Sequence, residues 1–180
     1  MAVYIGLLRA VNLGGSTQVS MSAVRDLLTR GGFTEVQTLL QSGNVVFHHD
    51  SGSPERLEHQ LEKELLQGLG TRIECFVRSA AEWRTIIAEN PFAAAAKDDP
   101  GHLVVTLFKQ APELGAWTKL QAAIRGREQV RGSGRHAYIV YPDGIGRSRL
   151  TAALIEKELG TRGTSRNWNT VGKLNRLASA

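Results

Sequence analysis

Residues 3–8 run without a charge and are rich in β-branched and aromatic types. A half-exposed strand alternates apolar with polar positions, so an unbroken run predicts a strand buried on both faces, central in its sheet. Met21, Val24, Leu27 and Leu28 then share one helical face across 20–31, with Ser20 as N-cap and Gly31-Gly32 as the stop. Short strands at 36–40 and 45–47 flank Gln41-Ser42-Gly43-Asn44, whose Gly and Asn suit a tight hairpin turn. Ser53 and Pro54 open a second helix in which Leu57, Leu61, Leu65 and Leu69 recur every fourth residue. A strand at 72–78 completes βαββαβ, the ferredoxin-like order.

Ser79-Ala80-Ala81-Glu82 has capping-box spacing, and Trp83, Ile86 and Ile87 give the next helix an apolar face. Asn90-Pro91-Phe92 ends that helix, and 93–101, small and then acidic, predicts a linker. The pattern restarts with a strand at 102–109, a helix at 112–124, strands at 128–131 and 137–141, and a helix at 148–159. Trp168, Val171, Leu174 and Leu177 then predict a last helix in place of a closing strand. The expected fold is α+β, with two ferredoxin-like (βαββαβ-type) halves, the second ending in helices. The first half covers 1–78, a helix and linker 79–101, and the second half 102–180.

A chain of 180 residues buries roughly 70% of its unfolded surface, enough for such a plan without covalent staples. Cys75 is the only cysteine and falls on the apolar pattern Ile73, Cys75, Val77, so it is expected as a core thiol in a reducing compartment. Residues 1–30 show no leader pattern, and no apolar run approaches the roughly 18 residues a membrane span requires, so a cytoplasmic protein without membrane contact is expected.

Charge changes the picture more. Residues 1–126 hold 12 Lys+Arg and 13 Asp+Glu, a net of −1, whereas 127–180 hold 10 and 4, a net of +6. Most of that excess is arginine, whose planar fork matches phosphate or carboxylate bidentately.

Several familiar chemistries fail on context. Gly132-Ser133-Gly134-Arg135-His136-Ala137 fits a dinucleotide fingerprint in letters, but it joins two hairpin strands and opens no helix. Gly146-Arg147-Ser148 lacks the second glycine and partners of a nucleophile elbow. His48 and His49 point to opposite faces of a strand, and no metal site is expected. The strand 45–47 lacks the aromatic platform of an RNA-recognition module.

Three polar stretches remain. Arg9 and Asn12 follow the first strand beside Gly14-Gly15. Residues 142–150 leave a strand for a helix, where free amide groups and the dipole favour an anion. Residues 164–170 crowd uncharged hydrogen-bonding groups around Arg166 and Trp168, beyond what one cap requires.

Leu7-Leu8-Arg9-Ala10-Val11-Asn12-Leu13-Gly14-Gly15, Gln41-Ser42-Gly43-Asn44-Val45-Val46-Phe47, Asn90-Pro91-Phe92, Gly146-Arg147-Ser148 and residues 164–170 resemble, in order, the bacterial family known as domain of unknown function 1697. Ala10 stands where that family usually has Gly, and Arg149 where it often has Lys. The resemblance implies a two-part α+β fold of ferredoxin-like character and supplies no activity.

The functional expectation is a binding protein for a phosphate-bearing ligand, a nucleotide or single-stranded nucleic acid, as monomer or homodimer and without a cofactor. Arg147 and Arg149 would hold phosphate beside Ser148. Arg9, Asn12, Gln41, Ser42, Asn44, Arg166 and Asn167 would complete a polar, positively charged hollow. The alternatives are a phosphoester or acyl hydrolase or transferase with Ser42 or Ser148 as nucleophile, and a scaffold dimerising through a sheet edge.

Overall fold

The computed structural model describes residues 1–14, 17–50 and 52–180. Gly15, part of the first loop's glycine pair, lies outside the described residues. The order is β1 (Ala2–Leu8), α1 (Met21–Arg30), β2 (Thr34–Leu39), β3 (Asn44–His49), α2 (Pro54–Leu69), β4 (Cys75–Ser79), α3 (Ala80–Ala88), α4 (Ala93–Asp98), β5 (Leu103–Phe108), α5 (Leu114–Ala123), β6 (Gln129–Ser133), β7 (His136–Val140), α6 (Ala152–Leu159), β8 (Gly163–Asn167) and α7 (Trp168–Ala178). Two antiparallel four-stranded sheets result, ordered β2-β3-β1-β4 and β6-β7-β5-β8. The second order is the first shifted by four strands, so both halves are ferredoxin-like and the second ends in a helix. Two compact units divide the chain, Met1–Thr85 with Lys173–Ala180, and Ile86–Gly172, with boundaries inside α3 and α7.

In the first unit Tyr4 and Leu8 of β1 pack with Phe47, Val77, Leu28 of α1 and Leu61 of α2. The alternate residues Ile5 and Leu7 are equally buried, as a central strand demands. Ser20 caps α1 through the Ala23 amide, and Ser53 caps α2 through that of Arg56. The exposed edge of β4 is closed from α2: Glu62 accepts from the Cys75 amide and Glu58 from the Val77 amide, each at 2.9 Å. Such closure stops an edge strand from pairing with another chain.

In the second unit Val104 and Phe108 of β5 pack with Leu120 of α5, Ile139 of β7, and Ile155 and Leu159 of α6. Glu156 of α6 accepts from the Gly163 amide of β8 at 3.1 Å, repeating the device that closes β4.

Three expectations are corrected. The second half has its closing strand: β8 pairs with β5 from Phe108↔Gly163 to Val104↔Asn167. Its sequence, Gly-Thr-Ser-Arg-Asn, has no apolar alternation, because the buried β5 supplies the hydrophobic partner and Thr106 and Ser165 hydroxyls bond across the pair at 2.7 Å. Residues 93–98 form α4 rather than linker; it buries no residue, which is why no periodicity announced it. Finally, α6 begins at Ala152, where Thr151 accepts from the Leu154 amide, and Ile145–Arg147 form a separate 3-10 turn. Ser148 therefore does not cap that helix.

Candidate functional site

The residues expected in one hollow fall into three local groups. The first gathers around the end of β1. Arg9 pairs with Glu74 at 3.1 Å. Asn12 clasps two loops: its Oδ1 accepts from the Val19 amide at 2.7 Å, while its Nδ2 donates to the Val19 carbonyl at 2.8 Å and the Gln41 carbonyl at 2.7 Å. Asn44, fully buried, donates to the Leu39 carbonyl at 2.8 Å and to the Ser42 hydroxyl at 3.0 Å. Between them Gly43 has φ +82°, and a Cβ there would lie 2.5 Å from Val11 Cγ2. A cavity of about 420 Å³ opens beside these loops, lined by Asn12, Gln18, Val19, Ser20 and Gln41. It has no charged wall. With Arg9 committed to Glu74, nothing in that lining attracts an anion by charge.

The second group is on β8. Arg166 donates to the Thr164 hydroxyl at 3.0 Å and the Ser165 carbonyl at 2.8 Å, and burial pushes its guanidinium down to about 10. Asn167 accepts from the Thr170 amide at 3.0 Å, closing the first turn of α7.

The third group is a cleft of about 220 Å³ made by the segment before β6 and the segment after β7. Arg125, Gly126, Glu128, Asp143, Arg147, Ser148 and Arg149 line it. The Ser148 hydroxyl donates to Glu128 Oε1 and accepts from the Leu150 amide at 2.9 Å. Glu128 Oε2 is buried with no donor. Gly126 permits this placement, since a Cβ there would come within 2.5 Å of that oxygen. Arg127 binds Asp143 through both ends of its fork, Nη2 to Oδ1 and Nε to Oδ2. That hydrogen bond, then the charges of Arg127, Arg147 and His102, holds the Asp143 carboxyl below the usual carboxylate range. Below the cleft Tyr141 donates to the Leu150 carbonyl at 3.1 Å; burial first, then the Glu128 charge, pushes its hydroxyl up to about 12.

Arg125, Arg147 and Arg149 are exposed. Among the described residues no hydrogen bond or ion pair holds Arg125 or Arg149, and Arg147 acts on Asp143 through its charge. Three guanidinium groups around one concavity can hold an oxyanion by paired N–H donors. Among the described residues no three His, Cys, Asp or Glu side chains gather as metal ligands, and none of their helices is long and apolar enough to cross a membrane.

Arg147, Ser148 and Arg149 were visible in the sequence as a polar turn leaving a strand. Arg125, Glu128 and Asp143 were missed. Their signal is the recurrence of Arg-x-Arg, at Arg125-Gly126-Arg127 and at Arg147-Ser148-Arg149, on the two sides of the β6-β7 hairpin.

A family model described as "Protein of unknown function (DUF1697)" matches residues 1–138. The chain belongs to the DUF1697 family. The matched stretch ends within β7, so the Arg147-Ser148-Arg149 wall of the cleft and residues 164–170 lie beyond it. Among solved structures, the conserved bacterial protein SP0830 from Streptococcus pneumoniae is 18% identical to this DUF1697 chain, with a TM-score of 0.74 over 98% of each. At that identity the likeness shows a common fold. No curated protein matches the chain.

Proposed function

We propose that this DUF1697 protein binds a phosphate-bearing ligand, a nucleotide or a nucleic acid, in the cleft beside the β6-β7 hairpin. The observation that carries the reading is the convergence of Arg125, Arg147 and Arg149 on one concavity of about 220 Å³. Four arginines elsewhere are paired within the fold: Arg9 with Glu74, Arg78 with Glu58, Arg127 with Asp143, Arg162 with Glu156. Charge over the whole unit points the same way. The unit containing the cleft holds 12 Lys+Arg and 8 Asp+Glu, a net of +4, against 10 and 9, a net of +1, in the other. Such a field draws anions from solution and concentrates them at the cleft.

Fluorescence anisotropy with labelled nucleotides and short single strands of RNA or DNA tests the reading. Binding weakens as salt rises, because each guanidinium–phosphate contact releases counterions. It also weakens in Arg147→Ala and Arg149→Ala. Binding that ignores salt and both substitutions, or no binding across the panel, refutes it.

One observation favours a second reading, a phosphoester hydrolase or transferase. Ser148 already donates its hydroxyl hydrogen to a carboxylate, Glu128, and a serine nucleophile needs such an acceptor. Phosphatase activity that disappears in Ser148→Ala would establish this reading over simple binding.

A further inference from the structure

We infer that the cleft's ligand carries a single phosphoryl group on a small body rich in hydroxyl or N–H donors: a sugar phosphate or a nucleoside monophosphate. This rests on the phosphate reading above and narrows it against nucleoside triphosphates and polynucleotides. Charge is the first reason. The lining presents three guanidinium groups, from Arg125, Arg147 and Arg149, and two carboxylates, from Glu128 and Asp143. Arg127 neutralises Asp143 from outside the lining. The cleft therefore offers a surplus of two positive charges, which one phosphomonoester dianion balances; its second ionisation lies near pH 6. A second or third phosphate would have to sit against Glu128 and Asp143.

Size agrees with charge. A volume of about 220 Å³ falls below the roughly 300–1,000 Å³ of pockets that enclose drug-sized ligands. None of the lining residues is aromatic, and single strands bind by stacking successive bases on aromatic faces.

Glu128 supplies the third reason. An ionised carboxylate accepts at about four positions. Ser148 occupies one on Oε1, while Oε2 is buried and has no donor at all. Buried polar atoms are nearly always satisfied, so an orphaned carboxylate oxygen beside a cationic cleft calls for a donor from the ligand. A ligand hydroxyl or N–H arriving next to Ser148 meets a carboxylate with acceptor capacity to spare. The cleft then has two poles, arginines for phosphate and Glu128 for the body that bears it.

Isothermal titration calorimetry on the full chain decides the matter, with inorganic phosphate, ribose 5-phosphate, adenosine monophosphate, adenosine triphosphate and a short oligonucleotide as probes. The monoesters bind about tenfold more tightly than inorganic phosphate, the worth of a hydrogen bond to a charged acceptor. Glu128→Gln removes most of that surplus yet tightens inorganic phosphate, because a negative neighbour has gone. A collapsed cleft would instead weaken both probes. Arg149→Ala weakens every probe. Tighter binding of the triphosphate or the oligonucleotide than of the monoesters, or equal response of phosphate and monoester to Glu128→Gln, overturns this inference while leaving the phosphate reading intact. No binding of any probe overturns both.

Discussion

Glu58 accepts the amide hydrogen of Val77 at 2.9 Å and, with the same oxygen, faces the Arg78 guanidinium at 3.4 Å. The side chains of Arg78 and Glu58 are 3% and 5% exposed. One carboxylate thus closes the edge of β4 and compensates a buried cation. Glu62, a turn further along α2, closes the same edge and keeps a quarter of its side chain in water.

The two glutamates should separate in stability. Glu58→Ala withdraws the carboxylate from buried Arg78, at a cost of about 3–5 kcal/mol. Glu62→Ala loses the hydrogen bond from the Cys75 amide at a partly exposed site, about 1 kcal/mol. Urea unfolding midpoints measure both; equal losses would mean that the edge hydrogen bond, not the buried charge, dominates at Glu58.

Ala10 and Asn12 both have φ +54° in the loop after β1. This conformation costs a residue with a Cβ about 1–2 kcal/mol, and glycine escapes most of it. It gives a physical reason for the glycine expected at position 10 from the family resemblance. Ala10→Gly should stabilise the protein by about 1 kcal/mol, net of the freedom glycine adds to the unfolded chain. Asn12→Ala should do the opposite, losing three hydrogen bonds as well as the residue type that tolerates this backbone. A destabilised Ala10→Gly variant, seen by thermal melting, would contradict this account of the loop.

What the sequence revealed followed burial. Both halves could be recognised because β1 and β5 are apolar on both faces and the helices carry apolar stripes, so periodicity reported packing directly. The closing strand β8 escaped because only Gly163 and Thr164 are buried and its pairing is set by β5. The start of α6 was misplaced because Ser148 and Thr151 are both competent caps; Leu150, buried with Ile155 and Leu159, fixes the segment so that Thr151 takes the role. At the cleft, Arg147-Ser148-Arg149 could be found as an unusual polar turn. Arg125 and Glu128 could not, since a loop arginine and a strand-flanking glutamate carry no signature until the hairpin between them folds. Asn12 and Asn44 had ligand-like chemistry in sequence but bond within the fold, Asn12 to backbone groups of two loops and Asn44 to the Leu39 carbonyl and the Ser42 hydroxyl.

Alkaline pH should expose the buried tyrosines. Burial first, then the charges of Glu89 and Glu128, pushes the Tyr138 and Tyr141 hydroxyls up to about 12. Unfolded tyrosine ionises near pH 10. The folded state therefore holds these protons more tightly, so stability is intact below about pH 10 and falls as pH rises towards 12. Tyr141→Phe should flatten part of that fall, while costing about 1 kcal/mol at neutral pH for the lost bond to the Leu150 carbonyl. A Tyr141→Phe variant whose stability falls from pH 10 to 12 as steeply as that of the unsubstituted protein would be inconsistent with this buried hydroxyl.

The Arg127–Asp143 pair offers a test of the cleft that leaves the fold alone. Both side chains are more than half exposed, at 69% and 60%, and exposed pairs contribute little to stability. Asp143→Asn should therefore leave the unfolding midpoint almost unchanged. It frees Arg127 beside Arg125, Arg147 and Arg149 and removes one of the two carboxylates from the lining. Phosphate should bind several-fold more tightly, with the slope of log affinity against log salt steeper by about one. Arg149→Ala should weaken binding and make that slope shallower by about one. Two surface substitutions that move affinity in opposite directions while the protein melts at the same temperature can act only through the charge of the cleft. If Asp143→Asn weakens phosphate binding instead, Asp143 is orienting an arginine that contacts the ligand, and the Arg127 fork becomes part of the binding wall.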